Sequence, residues 1–114
     1  MKKSNNADRL RHILDAIEKI EKYLQSYDEQ SFQADEKTQD AVVRQMEIIG
    51  EAATNLTRNL RSKHPQVVWQ IATAMRNRLI HGYFDVDAKI VWDTTQNDLP
   101  NLKKQIEEIL ENLT

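Results

Sequence analysis

The chain has 114 residues, with 16 Lys and Arg against 18 Asp and Glu, and a formal net charge of −2. This length predicts one domain over residues 1–114. Two glycines and two prolines are too few for a fold with many tight turns, which argues against a β-rich protein. The absence of cysteine excludes disulfides, thiolate metal sites and a cysteine nucleophile, and it suits a reducing cytosol.

The sequence predicts neither a signal peptide nor a membrane span. The basic N-terminus is not followed by an apolar segment, so it does not read as a signal peptide. No run approaches the roughly 20 apolar residues of a membrane span. We therefore expect a cytoplasmic protein with no membrane partner. The isoelectric point of 5.9 implies that any contact with nucleic acid is local.

Apolar residues recur at three- and four-residue steps, first in two segments that we predict to be amphipathic helices. The first covers roughly residues 6–27, with Asn5 or Asn6 as its cap. The second covers roughly 36–61, with Asp35 as its cap. Gly50 interrupts the second helix at a cost of about 1 kcal/mol relative to Ala. A close crossing with another helix would explain that cost, and so would chance.

Two more helices follow. Pro65 suits the first turn of a third helix that runs to about residue 80, where Gly82 provides a stop. A fourth helix covers roughly 88–112, with a cap in the preceding acidic segment and a kink or split at Pro100. Short connections between the helices predict an all-α antiparallel bundle of four to five helices. Adjacent apolar pairs exceed what one such core needs, so we expect a homodimer; the pairs are Ile48 and Ile49, Val67 and Val68, and Val91 and Trp92.

One stretch of the chain is basic and free of acidic residues. From Ala52 to Phe84 there is no Asp or Glu, whereas the rest of the chain carries a net charge of −7. Such a zone favours an anionic ligand, with nucleic acid as one candidate. The alternative is a basic helix face without a function. Besides histidine, the zone contains five basic residues: Arg58, Arg61, Lys63, Arg76 and Arg78. The candidate phosphate contacts are four of these, Arg58, Arg61, Lys63 and Arg78, together with Arg44, which precedes the zone.

The residues of this zone that could act in catalysis lie at the end of the third predicted helix. On a helix Arg76 and His81 are about 140° apart, whereas Asn77 and His81 are one turn apart and can touch. Histidine gives or takes protons near neutral pH, and arginine matches phosphate oxygens. The pair suits cleavage of an RNA phosphodiester without a metal or another cofactor. The alternative is that His81 only satisfies the last helix carbonyls.

These residues resemble a known family. Arg76-Asn77, then His81 and Tyr83, resemble the Arg-x4-His-x-Tyr signature of the HEPN superfamily in its HepT-like branch of toxin ribonucleases. The resemblance spans nearly the whole chain, because two further segments match in the same order: 46–53, and 90–92 followed by Leu99-Pro100.

The resemblance implies a helical dimer with an RNA-cleaving cleft built from both protomers. It assigns the catalytic roles to Arg76 and His81, with Asn77 in support. It also implies a toxin–antitoxin system, in which a minimal nucleotidyltransferase silences the toxin by transferring AMP to Tyr83. Added anionic groups beside His81 would repel the RNA backbone.

Several alternatives stay open from the sequence. The chain could be a non-catalytic helical module that holds a nucleotide or RNA for the nucleotidyltransferase. Glu47 and Glu51 are one helical step apart and could bind a cation, although a solvated face or ion pairing with the basic zone is commoner. His12 and His64 suit the surface, and with three histidines and no cysteine we expect no metal site.

Overall fold

The computed structural model describes residues 5–76 and 87–113. Within these ranges the fold is entirely helical, which confirms the all-α class. Seven helices are described, each named here in chain order: α1 (Asn6–Tyr23), α2 (Glu29–Gln33), α3 (Glu36–Thr54), α4 (Arg58–Lys63), α5 (Trp69–Ala74), α6 (Ala88–Asn97) and α7 (Leu99–Leu113).

The centre of the fold is the pair α1 and α3. The side chain of Asn6 at the start of α1 donates to Thr57 Oγ1, just beyond the end of α3, at 3.0 Å, so the two helices run antiparallel. Helix α7 packs on α1 and α5 packs on α3. The core between them contains side chains with no solvent exposure, among them Leu10, Ile13, Met46 and Ile106. Their burial supplies the main driving force for this arrangement.

The predicted caps are confirmed where the structure describes them. Asn5 accepts from the N–H of Asp8, and Asp35 accepts from the N–H of Thr38. Asp87 accepts from the N–H of Ile90 at the start of α6. The predicted split at Pro100 is also present, since α6 ends at Asn97 and Pro100 lies in the first turn of α7, where its missing N–H has no helical partner to lose.

Two predicted helices are shorter in the structure. The first ends at Tyr23 rather than near 27, and the Tyr27 hydroxyl beyond it bonds to Asp35 and Thr38, at the start of α3. The second, predicted to continue to 61, ends at Thr54. Thr57 then begins α4 by accepting from the N–H of Leu60, while its own N–H donates to Asn6 at 3.1 Å. This tertiary contact turns the chain where periodicity alone predicts one helix.

The prediction that the third helix begins at Pro65 is wrong. The N–H of Val67 donates to His64 O at 3.2 Å, which places Pro65 at the second position of a turn, a position that proline favours. Helix α5 begins only at Trp69, whose indole N–H donates to the carbonyls of Arg61 and His64. It ends at Ala74; the predicted continuation past residue 76 lies outside the described residues.

The apolar pairs that predicted a dimer divide between core and surface. Ile49, Val67 and Val91 are buried, and Trp92 packs on Phe32 with ring centroids 5.4 Å apart. Val68 is 58% exposed. The homodimer therefore stays a prediction. In the described parts of the chain, no helix has both the length and the apolar character that a membrane crossing needs.

Candidate functional site

Arg76 lies just beyond the end of α5. Met75 caps this helix and is fully buried, and the N–H of Arg76 donates to Thr73 O at 3.3 Å. The buried methionine fixes the backbone, whereas the Arg76 side chain is half exposed at 52%. The arrangement presents a charged guanidinium to solvent from a fixed point of the chain. This suits a residue that binds an anionic ligand.

The backbone of Arg76 rests directly on Gly50 of α3. A Cβ atom built at Gly50 would lie 2.3 Å from Arg76 N, 2.6 Å from its Cα and 2.8 Å from its Cβ. No side chain fits in that space, since ordinary contact begins at about 3.4 Å. The close approach is therefore made by the residue that follows α5 rather than by a crossing helix, and it explains a glycine in the interior of α3.

The next residue of α3 holds the side chain of Arg76. Glu51 Oε1 lies 3.2 Å from Arg76 Nε. The glutamate is 57% exposed, so the pair adds at most about 1 kcal/mol of stability. Its main effect is orientation, because the carboxylate draws the guanidinium toward α3 with Nε as its nearest nitrogen. The predicted ion pairing of this glutamate with the basic zone is confirmed for Glu51.

The basic residues of α4 occupy a different place. The Trp69 indole ties the end of α4 to the beginning of α5, whereas Arg76 follows the other end, roughly 10 Å further along at 1.5 Å per residue. Arg58 and Lys63 are exposed. Arg61 is half-buried, and its Nε forms no hydrogen bond with the described residues. Among the basic residues of this zone that the structure describes, only Arg76 both packs on Gly50 and pairs with Glu51.

Four of the predicted site residues lie outside the described residues. They are Asn77, Arg78, His81 and Tyr83. Their roles stay predictions, and so do the phosphate contacts of Arg58, Arg61 and Lys63. In the ranges 5–76 and 87–113, no three His, Asp or Glu side chains lie close enough together to hold a metal ion.

A groove of about 630 Å³ lies between α1 and α3, next to the contact of Arg76 with Gly50 and Glu51. Glu51 belongs to its wall as well as to the ion pair. Arg9 and His12 of α1 and Arg44 of α3 also line it. His12 is exposed, as its place in the sequence predicts, and Arg9 belongs to no motif of the sequence. Their i, i+3 spacing on one face of α1 was the available signal.

The pKa shifts that the structure resolves lie at helix ends and surface pairs. The Tyr27 hydroxyl, followed by Thr38, lowers the pKa of Asp35, and the backbone N–H of Ser31 lowers the pKa of Asp28. A hydrogen bond to Asp93 raises the pKa of Lys89. In the same way Glu21 raises the pKa of Lys103, across the contact of α1 with α7.

Comparison with known proteins identifies a family to which this chain is similar. The profile of the family described as “HepT-like: Ribonuclease HepT-like” matches residues 13–109. “Probable ribonuclease HepT” of Thermococcus cleftensis is 41% identical over 107 residues, which cover 94% of this chain and 97% of that protein. “Putative RNase TTE0752” of Caldanaerobacter subterraneus subsp. tengcongensis is 40% identical over 102 residues, or 90% and 91% of the two chains. No solved structure matches the chain significantly.

Proposed function

The chain belongs to the HepT-like ribonuclease family, and we propose that it is an endoribonuclease that cleaves RNA phosphodiesters with Arg76 and His81. The main support for this proposal is the way in which α3 positions Arg76. Gly50 lets its backbone approach α3, and Glu51 holds its Nε edge. The first residue of the family motif is thus oriented, charged and accessible. These are the properties that binding a phosphate oxygen requires.

The proposed reaction needs no metal ion. A general base removes the proton of the 2′-hydroxyl, whose oxygen attacks the neighbouring phosphorus. The bond from phosphorus to the 5′-oxygen breaks, and a general acid gives that oxygen a proton. The products carry a 2′,3′-cyclic phosphate and a 5′-hydroxyl. His81 serves as base, acid or both, with Asn77 orienting it, and Arg76 stabilises the charge that develops on the phosphate.

We place the reaction in a cleft between two protomers. One chain supplies one His81 and one Arg76, whereas acid and base catalysis on one phosphate uses two proton-transferring groups. A two-fold axis near this end of α5 would bring two copies of each together.

The biological role that we propose is that of a toxin acting in the cytoplasm, as a single-domain protein paired with a nucleotidyltransferase antitoxin. The antitoxin transfers AMP from a nucleoside triphosphate to the Tyr83 hydroxyl. A bond forms between the tyrosine oxygen and the α-phosphorus, and pyrophosphate leaves. The new negative charge beside His81 and Arg76 repels RNA and occupies the guanidinium. Phosphate contacts from Arg58, Arg61, Lys63 and Arg78 belong to the same proposal.

Induced expression in a bacterial host tests the toxin role. Wild type should arrest growth and degrade RNA, and the folded His81→Ala variant should do neither. His64→Ala is the matched control, since it removes another histidine, at the end of α4, and should leave toxicity intact. Harmless wild type at high expression would contradict the toxin role. RNA binding by the purified protein without cleavage would instead support a non-catalytic module.

A further inference from the structure

The carboxylate of Glu51 has a partner for each of its two oxygens. Oε1 lies 3.2 Å from Arg76 Nε, and Oε2 accepts from the side-chain amide of Asn55 at 3.1 Å. The last torsion of a glutamate side chain is soft, so a carboxylate with one partner rotates easily. Because Glu51 has a donor on each side, the plane of its carboxylate is fixed and one oxygen is kept toward Arg76.

The amide of Asn55 is itself held against the helix. Its Nδ2 also donates to the main-chain carbonyl of Glu51 at 2.9 Å, and an amide nitrogen carries the two hydrogens that the two bonds need. Asn55 is the C-terminal cap of α3, and its backbone N–H donates to carbonyls of the last turn. The amide is thus anchored to the main chain, from which it restrains a side chain one helical turn earlier.

The place of Glu51 in α3 makes this restraint useful. Glu51 lies in the last turn of the helix, which contains no basic residue. The C-terminal end of the helix dipole is negative, so a carboxylate is disfavoured there unless donors compensate it. Glu51 and Arg76 are both more than half exposed, so burial does little to hold the pair. The amide of Asn55 supplies a donor from within the same helix.

A neutral donor suits this task better than a charged one. A lysine or arginine at residue 55 would form an i, i+4 ion pair with Glu51 and compete with Arg76 for the carboxylate. An aspartate there would repel it. The asparagine amide binds one oxygen and leaves the negative charge of Glu51 to Arg76.

We infer that Asn55 is a positioning residue for Arg76 and acts through Glu51. Asn55 fixes the carboxylate, the carboxylate orients the guanidinium, and the guanidinium stabilises the charge that develops on the phosphate. This inference rests on the proposed function, because it names a residue that orients the arginine of that site. An effect on orientation in the transition state appears in kcat rather than in KM.

A double-mutant cycle separates this role from a merely structural one. The full chain is prepared as Asn55→Ala, as Glu51→Ala and as the double variant, and kcat and KM are measured with a labelled RNA. Gln39→Ala is the matched control, because Gln39 is also an amide of α3 with two hydrogen bonds. It donates to the carbonyls of Phe32 and Gln33 at 2.8 and 3.1 Å, near the other end of the helix. Circular dichroism verifies that each variant folds.

We expect Asn55→Ala to lower kcat about threefold, the size of one exposed hydrogen bond, and to leave KM unchanged. In the Glu51→Ala background the same substitution should leave kcat unchanged, because the group through which Asn55 acts is gone. Gln39→Ala should keep the wild-type kcat. An unchanged kcat in Asn55→Ala would overturn the inference. An equal loss in both backgrounds would also overturn it, since Asn55 would then act only as the cap of α3.

Side-chain NMR tests the same inference without requiring cleavage. Relaxation of the ¹⁵Nε nucleus of Arg76 reports the fast motion of the guanidinium, and Arg76→Ala identifies its signal. The order parameter of Arg76 Nε should fall in Asn55→Ala, fall further in Glu51→Ala and keep its wild-type value in Gln39→Ala. The same order parameter in Asn55→Ala as in wild type would overturn the inference.

Failure of this inference is separable from failure of the proposed function. If wild type cleaves RNA and Asn55→Ala changes neither kcat nor the order of the guanidinium, Asn55 is not a positioning residue but the ribonuclease stands. If Asn55→Ala loosens the guanidinium and folded wild type never cleaves, Asn55 positions Arg76 and the catalytic proposal falls.

Discussion

Gly50→Ala is the substitution that most directly tests whether the contact with α3 positions Arg76. The added Cβ would lie 2.3 Å from Arg76 N, so the two backbones must separate by about 1.1 Å to reach the 3.4 Å of ordinary contact. A misplacement of about 1 Å at a catalytic group costs about 100-fold in rate. Helix propensity favours Ala by about 1 kcal/mol, and overpacking costs about 1–3 kcal/mol. The free energy of unfolding should therefore fall by no more than about 2 kcal/mol while cleavage falls about 100-fold.

The assay combines steady-state cleavage of a labelled RNA with urea unfolding of the same preparations. Ile109→Val is the control, because it shortens a buried side chain of α7 and should cost about 0.5–1.5 kcal/mol without moving Arg76. We expect this control to cleave at the wild-type rate. A folded Gly50→Ala protein that cleaves as fast as wild type would refute the argument that the Gly50 contact positions Arg76.

Two further predictions concern charged groups. Glu51→Ala should lower kcat about tenfold, because Arg76 loses its orientation. Glu51→Gln should lower kcat less, since the amide oxygen keeps a polar contact with the guanidinium. The free energy of unfolding should change by under about 1 kcal/mol in both variants, and equal kcat values for the two would contradict this prediction. The lowered pKa of Asp35 implies stability that is present above its unfolded pKa of 3.8 and lost as the pH falls through the lower folded value. Unfolding at a series of pH values should accordingly show a weaker loss of stability between about pH 5 and 3 in Asp35→Asn than in wild type, and parallel curves would contradict the assignment.

Local sequence signals predict most of the fold. The caps at Asn5, Asp35 and Asp87 and the break at Pro100 each depend on a few neighbouring residues, and all four are present. The end of α3 is different, because the bonds of Thr57 to Asn6 join residues 51 positions apart. No periodicity within one segment reports such a contact.

The site shows the same division between local and tertiary information. The motif that begins at Arg76 is readable along the chain, and Gly50 is readable as a site of close approach. That these two features meet depends on how α5 packs on α3. The zone from Ala52 to Phe84 is free of acidic residues only along the sequence, since Glu51 lies against Arg76 in space. The groove residues Arg9 and Arg44 likewise come together only through helix packing.

The most direct test of the ribonuclease account uses purified wild type, Arg76→Ala and Arg11→Ala with a labelled single-stranded RNA in excess EDTA. Arg11→Ala is matched because Arg11 is also an exposed arginine in one ion pair, and its partner is Asp8 rather than Glu51. The account predicts that wild type and Arg11→Ala leave fragments with 2′,3′-cyclic phosphate ends, and that Arg76→Ala is slower by at least about 100-fold. Cleavage by Arg76→Ala at the wild-type rate, or no cleavage by folded wild type, would contradict it.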